Sequence, residues 1–181
     1  KWNEPFSYGC WVKPDAANAN GAIFSKMNEG NAFRGFDIWL QQGAPGTHII
    51  NTWPGNALKV VGKEKTKAKQ WSHIFITYDG SGKAGGLRVY LNGKQLAHTI
   101  EADGLSGTIQ TPNEFRIGRR SNSAFANNIE IDDVRLYNRV LTNTEVAVLA
   151  DNDPVGPILA IAPDKRNTKQ QDALANHYLN T

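Results

Sequence analysis

The sequence lacks the features of several common protein classes. Cys10 is the one cysteine among 181 residues, which excludes an internal disulfide and a cysteine-based zinc site. No apolar run reaches the roughly 18 residues that a membrane-spanning helix needs, so we predict no membrane insertion. The net charge is only +3. Because no basic helix or RNA-binding motif accompanies that charge, we predict no nucleic-acid partner.

The composition is that of an ordinary folded domain. Hydrophobic residues make up 40% and charged residues 20% of the chain, and these values exclude a disordered or collagen-like protein. The length favours one domain. The chain begins with Lys1 and has no leader in which basic residues precede an apolar stretch. We therefore expect it to be a segment of a longer precursor.

Short strands separated by turns are predicted up to residue 140. Apolar residues occupy every second position in 36–41, 73–78 and 87–92, which gives each strand one apolar face and one mixed aromatic and polar face. Asp79-Gly80 and Asn92-Gly93 indicate antiparallel hairpins. The pattern predicts an all-β sandwich of two antiparallel sheets. Its predicted strands are Phe6–Lys13, Ala22–Met27, Gly35–Gln41, His48–Trp53, Leu58–Val61, Trp71–Tyr78, Leu87–Asn92, Gln95–Thr99, Glu114–Arg119 and Ile129–Tyr137.

Two short helices are predicted near the C-terminal end. Capping-box spacing at Thr142 and Thr168 predicts helices over Asn143–Ala150 and from Thr168 to about Leu179. The proline- and glycine-containing stretch Asp153–Pro157 between them is typical of a linker. We place the domain boundary at residue 152, and we expect 153–181 to be a linker and helical extension leading to a following module.

Several blocks resemble the concanavalin A-like lectin/glucanase superfamily, most closely its bacterial laminin G-like branch. The longest blocks are Phe6–Pro14, Trp71–Gly80 and Ile131–Leu141, and shorter ones in the same order are Ile23–Lys26, Val89–Lys94 and Phe115–Gly118. The resemblance implies a jelly-roll sandwich whose concave face often binds a ligand. The tail after Leu159 resembles the connector in large exported bacterial proteins with cytochrome-like modules. It implies a periplasmic or cell-surface location and neighbouring domains in the same precursor.

The sequence argues against catalysis. Glu130-Ile131-Asp132 matches the first half of the carboxylate pattern of the glucanase branch, which needs a nucleophile and an acid/base. The acid/base position falls on Val134 or Arg135, and neither side chain can donate that proton. We therefore predict that the protein is not an enzyme, and we keep an atypical glycoside hydrolase as the least favoured alternative.

Calcium is the cofactor that the resemblance implies. In several members of the superfamily, the aspartate that matches Asp132 is similar to a calcium ligand completed by backbone carbonyls. One carboxylate together with carbonyls and water can supply the hard oxygen ligands that Ca²⁺ needs. The alternative is that Asp132 caps a strand end or forms an ion pair.

The mixed strand faces predict a carbohydrate-binding surface. Sugars bind by stacking on flat aromatic rings between fixed polar groups, and Trp39, Phe75 and Tyr90 all lie opposite apolar triplets. We predict that these three aromatics share one sheet and point away from the core. The alternative is that each packs under a loop. The predicted ligand-binding residues are Asp37, Trp39, Gln41, Trp53, His73, Phe75, Arg88 and Tyr90.

The one basic run allows two interpretations. Lys59, Lys63, Lys65, Lys67 and Lys69 could hold a polyanionic glycan, or they could discourage pairing at a sheet edge. For the whole chain, we predict a noncatalytic recognition domain that binds a glycan or a protein partner. The alternative is a structural spacer that binds nothing specific.

Overall fold

The computed structural model describes residues 1–151, 156–159 and 161–179, and consists of two antiparallel sheets followed by short helices. The strands are β1 (Phe6–Pro14), β2 (Gly21–Asn28), β3 (Arg34–Gln41), β4 (Ala44–Thr52), β5 (Asn56–Gly62), β6 (Ser72–Tyr78), β7 (Leu87–Leu91), β8 (Lys94–Gln95), β9 (His98–Gly104), β10 (Arg116–Ile117) and β11 (Ile129–Tyr137). The five-stranded sheet has the order β11-β1-β6-β7-β8, and the six-stranded sheet has the order β10-β2-β3-β4-β5-β9. This arrangement confirms the predicted all-β sandwich.

The core lies between the two sheets and uses the apolar faces that the alternation predicted. Ile38 and Leu40 of β3 are fully buried in it, as are Ile74 and Ile76 of β6. Cys10 of β1 is also fully buried there and forms no disulfide. Because a strand's alternate residues point to opposite faces, the residues between these core positions point outward from the sandwich.

Most strand ends lie within two residues of their predicted bounds, and the strand predicted as Glu114–Arg119 is shortened to Arg116–Ile117. Two larger differences have identifiable reasons. The strand predicted to begin at His48 begins at Ala44, because its first residues pair with the end of β3 despite Pro45. The strand predicted as Gln95–Thr99 is divided between β8 and β9. At Leu96 and Ala97 the chain leaves one sheet for the other: the Leu96 amide donates to Val89, and the Ala97 carbonyl accepts from Lys63.

A bulge interrupts the alternation of β11. Asp133 has a φ of 49°, and the pairing of β1 with β11 shifts register between Gly9 and Trp11. As a result, Ile131 and Val134 both pack against the core although they lie three residues apart.

Helix α1 (Asn143–Leu149) covers part of the outer face of the five-stranded sheet. Its Thr142 capping box is present, with the Glu145 amide donating to the Thr142 hydroxyl. Val146 packs on Phe75 and Tyr90. The other α-helices are α2 (Gly156–Leu159) and α3 (Thr168–Leu179). The capping box of α3 is formed by Asn167 and Gln170, one residue before the predicted Thr168. The predicted boundary at residue 152 lies outside the described residues. None of the described helices is both long and apolar enough to cross a bilayer.

Candidate functional site

The two sheets separate the predicted binding residues onto opposite outer faces. Trp39 lies on β3 in the six-stranded sheet, whereas Phe75 on β6 and Tyr90 on β7 lie in the five-stranded sheet. The prediction that these three aromatics share one sheet is therefore wrong. Alternation reports only which side of its own strand a residue occupies, and sheet membership depends on pairing between distant segments.

The residues on the five-stranded sheet do not form an open surface. Phe75 and Tyr90 are buried beneath α1, and the Tyr90 hydroxyl donates to Asn143 Oδ1 at 2.8 Å. His73 is 2% exposed, and its ring stacks on Phe75 at 5.5 Å between centroids. Burial lowers the pKa of His73 to about 4, which leaves the ring neutral near pH 7. Arg88 Nη1 donates to the Gly85 and Leu87 carbonyls. These contacts give all four side chains structural roles.

The remaining predicted residues surround a cavity on the outer face of the six-stranded sheet. The cavity has a volume of about 210 Å³. Trp39, Gln41 and Trp53 line it, and Asp37 lies behind its wall, bonded to two of the lining side chains. Residues that the sequence-based prediction did not include complete it. The full lining is Phe33, Trp39, Gln41, His48, Ile50, Trp53, Lys59 and Arg120.

Aromatic rings form the walls of this cavity. Trp39 projects from β3, and Trp53 follows the last residue of β4. The ring of His48 lies between them, 6.1 Å from Trp39 and 5.7 Å from Trp53 by centroids, and it meets both edge-on. Phe33 and Trp53 pack against a small cluster of buried residues separate from the main core, namely Met27, Ile50 and Ala57. The cavity is therefore formed by side chains that are themselves packed in place.

A buried ionic network lies at the centre of the site. Asp37 is fully buried, and its Oδ1 accepts from the His48 amide at 3.0 Å and lies 2.9 Å from His48 Nδ1. Its Oδ2 accepts from Arg120 Nε at 2.9 Å and Nη2 at 2.6 Å. Burial by itself would raise the pKa of Asp37, but His48 and Arg120 together lower it to about 2. Asp37 is thus an ionised anchor that orients the two side chains toward the cavity.

The loop between β10 and β11 brings Arg120 to the site. The guanidinium lies over the ring of Trp39 at 4.6 Å and over that of Phe33 at 5.6 Å. Glu29, directly after β2, holds the loop by accepting bonds from the Ser121 hydroxyl and from the amides of Asn122 and Ser123. The Ser123 hydroxyl also donates to Glu29. One carboxylate therefore fixes the loop that positions the arginine.

A second ion pair lies at the opposite edge of the cavity. Lys59 Nζ is 2.6 Å from Glu101 Oε2, and Gln41 Nε2 donates to Glu101 Oε1 at 3.0 Å. Lys59 belongs to the basic run, but its own side chain is only 14% exposed. The ion pair with Lys59 is the main reason that the pKa of Glu101 is lowered.

Asp132 lies on the other side of the molecule from this cavity. Its side chain is exposed, and its Oδ1 accepts from the Asp133 amide at 2.7 Å. Asp133 in turn binds Arg135 Nε through both oxygens. Within the described ranges, no three His, Cys, Asp or Glu side chains are grouped to hold a metal. A calcium ion at Asp132 would have to take most of its ligands from carbonyls and water, and this site stays a prediction.

Comparison with protein families identifies the fold. The family model of the concanavalin A-like lectin/glucanase superfamily, in its laminin G type, matches residues 1–147. The chain belongs to the concanavalin A-like lectin/glucanase superfamily. The resemblance found in the sequence blocks is thereby confirmed. No curated protein matches this concanavalin A-like chain.

Solved structures share the concanavalin A-like fold at low sequence identity. The binding domain of paraclostridial mosquitocidal protein 1 is 18% identical with a TM-score of 0.59, over 86% of this chain and 38% of that one. The botulinum neurotoxin serotype G binding domain is 16% identical with a TM-score of 0.54, over 82% and 36%. A Bacteroides ovatus protein proposed to bind carbohydrate is 18% identical with a TM-score of 0.54, over 80% and 40%. The chain thus spans well under half of each, and these likenesses establish the fold alone.

Proposed function

We propose that this concanavalin A-like domain is a noncatalytic recognition module that binds carbohydrate in the cavity between Trp39, Trp53 and Arg120. The observation that carries the proposal is the combination of aromatic walls with polar groups fixed by a buried ionic network. Among the predicted binding residues, Asp37, Trp39, Gln41 and Trp53 belong to this site.

The geometry supports sugar binding in two ways. Trp39 and Trp53 offer flat apolar rings on which the C–H face of a pyranose can stack. His48 and Arg120 are locked by Asp37, so they present polar atoms in fixed positions and lose little entropy when a ligand binds. A cavity of about 210 Å³ is larger than the roughly 150 Å³ cavity that holds a benzene ring, so it accommodates one sugar ring, which fits recognition of one residue within a longer glycan.

The same network supports a noncatalytic role. A retaining glucanase needs two carboxylates about 5–5.5 Å apart, one to attack and one to transfer a proton. At this site the carboxylates of Asp37 and Glu101 are both occupied by donors from the protein. On β11, Glu130 is paired with Lys13 at 2.6 Å. These pairings leave the described cavity without a free carboxylate to serve as acid or nucleophile.

An exported setting is part of the proposal. The family and its binding-domain neighbours support a place in a protein that acts outside the cytoplasm, and the neighbouring modules of the same precursor stay a prediction. In that setting the domain would attach its parent protein to a glycan.

The experiment is a glycan array followed by calorimetry with the whole 181-residue chain. Trp53→Ala removes a stacking wall and should weaken binding by about 1–3 kcal/mol, which is roughly fivefold to 150-fold. Trp71→Ala is the matched control, because Trp71 is 39% exposed and lies outside the cavity. Melting curves of both variants check the fold. Silence across a broad array, or equal loss in both variants, would refute the proposal and favour a structural spacer.

A further inference from the structure

We propose that the cavity selects sugars bearing a carboxylate, such as hexuronic or sialic acids, over their neutral counterparts. This inference rests on the proposed function and adds the chemical class of its ligand. The preference for a carboxylate follows from the polar atoms that remain free at the cavity once the protein's own hydrogen bonds are made.

The two carboxylates of the protein at this site already accept hydrogen bonds from its own side chains. Asp37 is fully buried, and its two oxygens already meet the backbone and ring of His48 and two nitrogens of Arg120. Glu101 is bound through one oxygen by Lys59 and through the other by Gln41. Asp37 therefore has no lone pair left for a sugar hydroxyl. Glu101 accepts only one bond on each oxygen and keeps some capacity, but it is not among the residues that line the cavity.

The groups left free are mainly donors. Arg120 Nη1 has no partner among the described residues and is not buried, although Nε and Nη2 are both bonded. Lys59 Nζ uses one of its donors on Glu101 and retains two. The indole N–H groups of Trp39 and Trp53 have no partner in the part of the chain that the structure describes, and an indole nitrogen can only donate.

Acceptors are scarce at the cavity by comparison. Gln41 Oε1 is the one side-chain acceptor on the described lining that has no partner and cannot also donate. His48 Nε2 also lacks a partner among the described residues, and it is a second acceptor when the ring is neutral, because Nδ1 then holds its proton against the ionised Asp37. A carboxylate accepts hydrogen bonds and donates none, so it matches this excess of donors. A neutral hydroxymethyl group at the same place would bring a donor that finds few acceptors.

Arg120 is the residue best placed to bind the carboxylate. Its side chain is 12% exposed, and Asp37, Trp39 and Phe33 restrict its orientation. A planar guanidinium held in this way binds a carboxylate with defined geometry. The charges of Arg120 and Lys59 are balanced by Asp37 and Glu101, so an anionic sugar meets no net repulsion at the site.

The test uses paired probes that differ only at the carboxyl group. Oligogalacturonate, a glucuronate-containing trisaccharide and sialyllactose are each compared with their carboxyl-reduced forms by calorimetry. The wild-type chain should bind at least one acid about tenfold more tightly than its reduced form. The pair that responds identifies whether the carboxylate comes from a hexuronate or a sialic acid.

Two arginine variants assign the preference to the cavity. Arg120→Lys keeps the charge that Asp37 needs but removes the planar donor set, and it should reduce the preference to about threefold or less. Arg119→Lys is the control, because Arg119 lies over Phe125 and outside the cavity lining. Melting curves confirm that both variants fold.

The outcomes separate the inference from the function on which it rests. If the acids and their reduced forms bind with equal affinity, and Trp53→Ala abolishes the binding of both, the carboxylate preference is overturned and carbohydrate binding in the cavity stands. A preference unchanged in Arg120→Lys would overturn the role of Arg120. Binding to neither form, nor to any glycan on the array, would overturn both proposals.

Discussion

The hydroxyl of Tyr8 and Oγ1 of Thr47 lie 2.6 Å apart and join the two sheets through the core. Tyr8 belongs to β1 of the five-stranded sheet, and Thr47 belongs to β4 of the six-stranded sheet. Thr47 Oγ1 also donates to the Asp37 carbonyl at 2.6 Å, so Tyr8 is the donor between the two hydroxyls. Burial raises the pKa of Tyr8, which keeps its proton in place. The core is thereby bonded to the strand that carries the binding site.

Loss of this bond should destabilise the fold. Tyr8→Phe removes the donor and leaves a buried Thr47 oxygen without it, so we expect the free energy of unfolding to fall by about 1–2 kcal/mol in urea denaturation. Thr47→Val and the double variant complete a cycle, in which the double variant should cost less than the two single variants together. Strict additivity would contradict a direct bond.

Acid should weaken the network at the site. The carboxyl of Asp37 has an ordinary pKa of 3.8, and the folded protein lowers it to about 2. The stability that Asp37 contributes is therefore present above about pH 4 and is lost as the pH falls toward 2. The difference in unfolding free energy between wild type and Asp37→Asn should shrink by about 2 kcal/mol between about pH 5 and pH 2. Parallel pH profiles of the two proteins would rule out this role for Asp37.

Glu29 should govern the order of the loop that carries Arg120. Glu29→Gln weakens its bonds to Ser121, Asn122 and Ser123, so the amides of 122 and 123 should exchange with deuterium about tenfold faster. Glu114→Gln is the control, because the Glu114 side chain is 83% exposed and is paired with Arg116, away from the loop that Glu29 holds. Unchanged exchange in Glu29→Gln would show that the loop is held by its backbone alone.

Two valines of α1 test whether the helix covers the five-stranded sheet. Val146 is fully buried on Phe75 and Tyr90, whereas Val148 is 68% exposed. Val146→Ala should lower the free energy of unfolding by about 2 kcal/mol through lost burial and a small cavity. Val148→Ala should change it by about 0.5 kcal/mol or less. Equal effects would indicate that α1 does not pack where the structure has it.

Calcium binding at Asp132 is tested by thermal unfolding. A ligand that binds only the folded state raises the melting temperature by mass action. If Asp132 binds calcium as the family resemblance predicts, added Ca²⁺ should raise the melting temperature of wild type, and Asp132→Ala should abolish that increase. Coincident curves in calcium and in chelator, after verified metal removal, would leave Asp132 a surface carboxylate.

Local patterns predicted which side of each strand faces the core, but not which sheet each strand joins. The prediction that Ile38 and Leu40 point inward and Trp39 outward agrees with the structure. Phe75 also points away from the central core, yet it does so on the opposite sheet. Sheet membership follows from pairings such as that of β1 with β11. These pairings join segments more than a hundred residues apart, and the sequence of neither strand indicates its partner.

The sequence patterns indicate some of the unpredicted cavity residues better than others. His48 follows from alternation, because Ile49 beside it is buried in the core. Lys59 stands out in the sequence only as a member of the basic run. Arg120 contacts Asp37 across 83 positions of the chain, and its loop carries no hydrophobic period that would place it. Only the folded chain brings that arginine to the cavity.

Because Cys10 is buried, the domain can be coupled to a surface or a dye through one introduced cysteine. The thiol is fully buried, and burial raises its pKa, so thiol reagents should leave it unmodified while the fold is intact. A cysteine introduced at Val148, on the exposed side of α1, would be the single reactive thiol. Because α1 lies on the sheet opposite the cavity, beads or fluorophores coupled there would leave the cavity facing the solution.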